Sequence, residues 1–368
     1  MKRLIVVGPV PPVRGGIARH TYHLSNAASK IIKTELLCPK RVFPRLLYPG
    51  GNQFVNSTDA SYEFDQELSV RRGSWWQVLK DLIRLKGPRE DVGILLVWWT
   101  WVLAPVSLAV GIIAKLRGMK VTLYCHNVVP HDVIWLGEVV TKFTLKRFQR
   151  FIVQSTLEQQ LLTELQQFSK IKIVRHPTYA PIVEYPKRPK TESKRPNFLF
   201  FGLIRPYKGV GKLIDIIPQL SDLDVNLTIA GEAWDKKIDT ELRVLDETYS
   251  RFSYVPGFAS EELKSKLFRD ADALILPYER ATGSGVLADA IGFNRPVIVS
   301  DVIETGQDFL EGRDGITVNL QTHHETALTG AIRQFVGRFS EFDCAWTVTT
   351  HLPTWSQCAE EAVSSFDE

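Results

Sequence analysis

Cysteine is scarce and scattered. The chain has four, Cys38, Cys125, Cys344 and Cys358, with no Cys-x-x-Cys spacing, which excludes a disulfide scaffold and a thiol-redox motif. No cysteine–histidine set has zinc spacing either. The four read as reduced, buried thiols of a cytosolic protein. Met1-Lys-Arg-Leu-Ile-Val-Val-Gly8 has too short an apolar run for a signal peptide and instead opens a strand. The net charge is only +4, too weak an excess of base to argue for nucleic acid, though it suits an anionic ligand or an anionic membrane surface. Charge is missing from Gly93 to Ala114, a length that can span a bilayer. Pro105 divides that run, so it reads as a buried strand, Ile94 to Thr100, followed by a buried helix, Ala104 to Leu116. No repeat period is present.

What remains is an ordinary globular composition, 44% hydrophobic and 23% charged, over 368 residues, a length that suggests two domains. Strand and helix patterns alternate through both halves, which predicts two parallel-sheet α/β domains. Residues 3–7 form the first strand. A turn rich in proline and glycine follows and reaches Gly15-Gly16, and a helix runs from about Ile17 to Ser29. The dinucleotide fingerprint Gly-x-Gly-x-x-Gly is absent there. Gly15-Gly16 makes either a ligand loop at the carboxyl end of strand one or a proline-stiffened turn. Ser74 caps a helix to about Leu85 that carries Trp75 and Trp76 with Lys80, Arg84 and Lys86. That pattern fits a core-facing helix and also one lying on a membrane. Val121 to Cys125 is a strand that delivers His126, a residue able to donate or accept toward a ligand.

The stretch 186–196 is rich in proline and charge, and it marks a linker. Beyond it, Phe198 to Phe201 is a strand, Gly202 to Gly209 a loop, and Val210 to Leu220 a helix. Arg205 and Lys208 lie on that loop. Ala273 to Leu276 is a later strand, and a helix begins at Thr282-Gly283-Ser284-Gly285. A helix start offers N–H groups and the positive end of the peptide dipoles, so it suits a phosphate. Taken alone, this stretch reads equally as an ordinary loop entering an ordinary helix. In a parallel sheet, however, both loops reach the same carboxyl edge. Two cations and a helix start together would clamp a diphosphate. Asp222-x-Asp224 and Asp270-x-Asp272 each precede a strand and read as structural, so no metal is expected. Gly283-Ser284-Gly285-Val286-Leu287-Ala288 also fits Gly-x-Gly-x-x-Ala, but the six residues Tyr278 to Gly283 set it back from its strand and argue against a nicotinamide site.

Phe201-Gly-Leu-Ile-Arg-Pro-Tyr-Lys-Gly209, Ile229-Ala-Gly231, Asp270 to Pro277, Ser284 to Ala290 and Arg295 to Asp301 resemble retaining glycosyltransferases of family four. Gly15-Gly16 and His126-Asn127 match the amino-terminal half of that family. The resemblance implies the GT-B fold: two facing Rossmann-like α/β domains with parallel sheets and an interdomain cleft. The implied division is an acceptor-side domain over 1–180, a linker over 181–196, a nucleotide-sugar domain over 197–350, and a final helix within 351–368 crossing back to the first. It makes Arg205, Lys208 and His126 catalytic. It assigns Gly15, Gly16, Gly231, Gly257, Phe258, Glu279, Thr282, Gly283, Ser284, Gly285, Val286 and Asp289 to the donor, with Asp289 on the ribose where glutamate is usual. Counting back from Asp289, the family's Glu-x7-Glu pattern lands on Ala281, and the nearest carboxylate is Glu279. The implied reaction moves a sugar from a UDP- or GDP-linked donor to a saccharide or lipid-linked acceptor, with retention and without a metal or other cofactor, in cell-surface glycan biosynthesis. Domain closure would exclude water. Hydrolase, epimerase and non-catalytic forms of the same fold are the alternatives. The expected location is cytoplasmic, with peripheral contact to the membrane face and no nucleic-acid partner.

Overall fold

A computed structural model describes residues 1–43, 53–54, 63–86, 91–128, 135–167, 169–179, 195–281, 283–305, 309, 311–338, 342 and 352–367. Thr282, His131, Cys344 and most of the linker stretch (180–194) lie outside them. The chain divides into two compact units, Met1–Pro177 with Pro353–Glu368, and Thr178–Leu352.

The first unit begins with β1 (Arg3–Val7), α1 (Gly16–Ser29), β2 (Lys33–Pro39), β3 (Ser69–Gly73) and α2 (Trp75–Arg84). It continues with β4 (Val92–Trp98), α3 (Ala104–Leu116), β5 (Lys120–Cys125) and α4 (Trp135–Leu145). It closes with β6 (Arg150–Val153), α5 (Thr156–Leu165) and β7 (Lys170–Ile173). Its seven strands run in the order β3-β2-β1-β4-β5-β6-β7, all parallel. A parallel sheet covered on both faces needs strands that are apolar throughout. Leu4 to Val7 and Ile94 to Leu96 are buried accordingly. The uncharged run resolves into β4, a short turn and α3, with Pro105 in the first turn, where its missing N–H costs nothing.

The second unit begins with β8 (Asn197–Phe201), α6 (Val210–Ile214), α7 (Leu220–Leu223), β9 (Asn226–Gly231) and α8 (Lys236–Thr248). Next come β10 (Phe252–Pro256), α9 (Glu261–Asp270), β11 (Ala273–Leu276) and α10 (Gly285–Gly292). The last elements are β12 (Val297–Ser300), β13 (Gly315–Val318) and α11 (His324–Gly337). Six parallel strands order as β10-β9-β8-β11-β12-β13. One expectation fails: Val210 to Leu220 is not a single helix. Pro218 sits in a 3-10 turn over Ile217–Gln219, because proline has no N–H for the helical ladder and clashes with the preceding turn.

The final helix, α12 (Trp355–Ser364), belongs to the first unit. Cys358, Ala359, Ala362 and Phe366 pack with α1 on the sheet face that carries Leu4, Val6, Leu95 and Tyr124. Helices α2 to α5 cover the opposite face, over Ile5, Val7, Ile94 and Leu96.

Candidate active site

In the second unit the loops after β8 and β11 meet at the carboxyl edge of the sheet. Glu279 N–H donates to Tyr207 C=O at 2.7 Å, joining them. Gly209 lies at φ +69°, and a Cβ there would fall 1.9 Å from Pro277 O, so only glycine lets the two backbones approach this closely. Arg205 precedes a one-turn 3-10 helix, Pro206–Lys208, which presents both cations on the same short turn. The Arg205 guanidinium stacks 3.7 Å from the Trp234 ring centroid. The position a Gly202 Cβ would take lies 3.2 Å from Lys208 Nζ and 3.6 Å from Val286 Cγ2. Lys208 therefore points to the start of α10. Burial lowers its pKa; Tyr207 acts in the opposite sense and Arg205 adds to the lowering.

Helix α10 begins where the motif placed it. Ser284 is its N-cap, and its hydroxyl accepts from Leu287 N–H at 3.1 Å. Tyr278 is hydrogen-bonded to Ser284, and burial pushes its phenol up to about 12, so it stays protonated. Gly283 is exposed, and Gly285 opens the helix. Gly231, Gly257 and Phe258 end the neighbouring strands on the same edge, with Gly257 N–H donating to Gly231 C=O at 3.1 Å. A Cβ on Gly231 would meet Gly202 O at 1.8 Å.

The two candidate carboxylates, Glu279 and Asp289, are both engaged within the unit, and no carboxylate stands at 281. Ala281 is buried in the core of the unit, and Glu279 is half exposed and paired with Lys212 at 3.3 Å. Asp289 is buried at 4% exposure. One of its oxygens pairs with Lys264, and the other accepts from Tyr179 N–H at 3.3 Å. Lys264 is itself 3% exposed and lies over the rings of Tyr179 and Phe268. Sequence reasoning missed Lys264, Trp234 and Tyr278. Lys264 was the most legible of these, since it stands one turn before Phe268 on the buried stripe of α9.

Gly15, Gly16 and His126 belong to the first unit. Gly15 caps α1 with φ +110°, and Gly16 is the first residue of the helix. His126 follows β5 and donates its N–H to Trp98 C=O at 2.8 Å. Its ring stands 4.5 Å from that of His20, which in turn sits near His176 at 5.2 Å and Trp355 at 5.1 Å. The His20 ring nitrogen meets Tyr124 OH at 3.1 Å. Burial drives the His126 pKa down to about 3, helped by His176 and opposed by a Gln154 hydrogen bond. His126 is therefore a neutral imidazole at neutral pH. Buried Glu158 anchors this edge by accepting from Val128 N–H and Gln154 N–H, at 3.0 and 3.1 Å.

Asp224 pairs with Arg195 and Arg251, and Asp272 accepts from Asn197 N–H at 2.7 Å, so both act structurally. Among the described residues, Asp215, His324 and Glu325 alone have metal-compatible spacing; Asp215 and Glu325 are exposed, and His324 already bonds Asp215 at 2.8 Å. Cys38, Cys125 and Cys358 are buried free thiols.

Residues 195–337 match the family model described as glycosyl transferases group 1. The match covers most of the second unit. A curated relative, the GDP-mannose:glycolipid 4-beta-D-mannosyltransferase of Xanthomonas campestris pv. campestris, is 31% identical over 102 residues, which is 28% of this chain and 29% of that protein. The match thus spans under a third of the relative's length. Among solved structures, an α,α-trehalose-phosphate synthase (UDP-forming) from Burkholderia xenovorans, in complex with glucose-6-phosphate, superimposes with TM-score 0.72 at 11% identity over 100% of both chains. Anabaena HepE in complex with UDP gives 0.69 at 13% identity, over 99% of this chain and 100% of that one. The sucrose-phosphate synthase of Thermosynechococcus elongatus gives 0.67 at 15% identity, over 99% and 95%. At these identities the structures bear on the fold, which is that of the GT-B glycosyltransferases: two Rossmann-like parallel-sheet units.

Proposed function

We propose that the chain is a glycosyltransferase that moves a hexosyl group from a nucleotide-diphosphate sugar to a lipid-linked saccharide in cell-surface glycan assembly, at the cytoplasmic membrane face. The observation that carries this reading is the meeting of Lys208, Gly202 and the start of α10 on one sheet edge, beside Arg205. As the sugar–phosphate bond breaks, negative charge grows on the departing diphosphate. Two fixed cations and a helix start held beforehand in a partly buried place stabilise that charge without reorganising. The same cations supply the role a divalent ion would otherwise take, so the reading is metal-independent. His126, in the first unit, is neutral and buried, so toward a ligand it offers hydrogen bonds and not a charge.

The mannosyltransferase relative makes GDP-mannose the first donor to test and a glycolipid the first acceptor. Retention follows from the family resemblance, whereas the relative is named for a β-linked mannoside. The anomeric configuration of product against donor decides between the two, and an inverted product would remove retention while leaving transfer in place. Buried Ala281 and the Glu279–Lys212 pair favour one rival, a form of the fold that binds a nucleotide sugar without transferring it.

The test is a panel of UDP- and GDP-sugars scored first by thermal stabilisation and then by transfer. Arg205→Ala and Lys208→Ala are each expected to lower kcat by about 10²–10³-fold, the size of losing one charge-stabilising group, with turnover unaffected by chelator. Unchanged turnover in both variants would rule out the clamp. Release of free sugar without an acceptor product would indicate a hydrolase.

A further inference from the structure

The helical layer α2–α5 of the first unit leaves an unusual amount of apolar surface uncovered. Nine of the twelve large apolar side chains that are exposed among the described residues lie on it. The rest of both units carries only Ile31, Val244 and Phe258. Isolated exposed apolar residues are ordinary, but a concentration on one layer marks a contact surface. Its centre is α3 and α4. Ile112 and Leu116 stand one turn apart on α3, and Trp135, Val139 and Phe143 follow each other at single turns on α4, with Leu136 beside them. Leu116 is 80% exposed and Trp135 76%. Trp76 and Ile83 extend the row onto α2, while Trp75 turns inward and donates its indole N–H to Val42 C=O at 3.3 Å. Arg117 donates to Ile83 C=O and Leu85 C=O, fixing α3 against the end of α2.

Cations run along this row. Lys80, Arg84, Lys115, Lys142, Lys146 and Arg147 lie on these helices or just beyond α4, and Asp81 and Glu138 are the acids among them. Both acids are engaged, Asp81 with Arg71 at 3.9 Å and Glu138 with Lys142 at 2.5 Å. Arg147 sits 4.7 Å from the Phe143 ring, and Lys80 5.5 Å from the Trp76 ring. Aromatic and aliphatic tips interleaved with long basic side chains describe a surface whose apolar groups enter the acyl boundary while the cations meet headgroups. A protein partner is the poorer match, since the centres of protein interfaces are depleted in lysine. No described helix is long and apolar enough to cross a membrane, so the contact is peripheral.

We propose that the α2–α4 face docks on an anionic lipid bilayer, with Leu116, Trp135 and Phe143 inserted and the surrounding lysines and arginines on the headgroups. This extends the lipid-linked acceptor reading above by naming the surface, and it rests on that reading only for its purpose. The test is co-sedimentation of the full chain with vesicles of phosphatidylcholine alone and of phosphatidylcholine with phosphatidylglycerol, without donor or acceptor. Binding to the phosphatidylglycerol vesicles that weakens with added salt is expected, with little on phosphatidylcholine alone. Trp135→Ser combined with Phe143→Ser is expected to reduce partition at least about tenfold, since each removes an aromatic side chain that would enter the acyl boundary. Val244→Ser, on the second unit, is expected to leave it unchanged. All three substitutions are at exposed positions, and an unaltered unfolding transition verifies folding. The proposal is overturned by absence of binding to both vesicle types, by equal partition of the double variant, or by a solution dimer that the double variant converts to monomer. Because no sugar is present, these outcomes are independent of whether transfer occurs.

Discussion

Asp289 is one methylene shorter than the glutamate usual at its place in the resembling family, and its carboxylate is held inside the fold by Lys264 and Tyr179 N–H. Both of its oxygens are engaged within the fold, each keeping a lone pair for a further donor. Its first role is thus to neutralise a buried ammonium. Asp289→Ala is expected to cost about 3–5 kcal/mol, because it strands the Lys264 charge in the core. Adding Lys264→Met is expected to recover most of that loss, since a buried ion pair is worth little more than an apolar replacement. Denaturant unfolding of the single and double variants checks this; additive losses would show that the pair is not coupled. The sequence placed Asp289 on the right helix but could not show its partner, which lies on α9, twenty-five positions upstream. Arg205 and Lys208 were legible because a glycine-bounded turn at a strand's carboxyl end confines where they can reach. Trp234, against which Arg205 stacks, comes from a different strand end, and no local pattern links the two.

Among the elements, legibility followed burial. The apolar strands β1, β4, β5, β8 and β11 stood out by composition, and helix α2 by its Ser74 cap. Strand β3 escaped because its three central residues, Val70, Arg71 and Arg72, are partly or fully exposed at a sheet edge, where no apolar alternation is required. Helix α8 escaped because it buries only Leu242 fully, too little to generate a period. Helix α12 shows how a weak local signal becomes decisive in place. Thr354 accepts from Gln357 N–H at 3.2 Å and Gln357 Oε1 accepts from Thr354 N–H at 2.8 Å, a capping box that starts the helix at the point where it meets α1. Thr354→Ala is expected to destabilise the first unit by about 1 kcal/mol, the ordinary worth of an N-cap. Unfolding followed in denaturant checks this, and no change would mean that packing alone holds α12.

The whole molecule carries buried histidines whose charge state depends on the fold. His20 and His126 are both lowered chiefly by burial, His126 to about 3, and they face His23, His176, Tyr124, Gln154 and Trp355. In the unfolded chain each takes a proton near 6.5. Below that pH the unfolded state binds more protons than the folded one, so the stability present above pH ~6.5 is lost as pH falls toward ~3. His126 contributes a slope of up to ~1.4 kcal/mol per pH unit over that window, and His20 adds one of the same sign. Denaturant unfolding of the first unit from about pH 7.5 to about pH 5 checks the slope, and His20→Gln is expected to reduce it. A flat profile in the parent protein would show that the cluster opens to solvent. The alternation of buried strands and helices, the glycine turns at strand ends and the two cations beside one of them were determined by the sequence itself, because burial period, backbone freedom and local charge are properties of neighbours in the chain. The pairing of Lys264 with Asp289, the gathering of His20, His23 and His176 around Trp355 and the apolar face shared by α2, α3 and α4 were decided only by tertiary structure. Each joins residues from separate elements, and side-chain burial and exposure become definite only once those elements have packed.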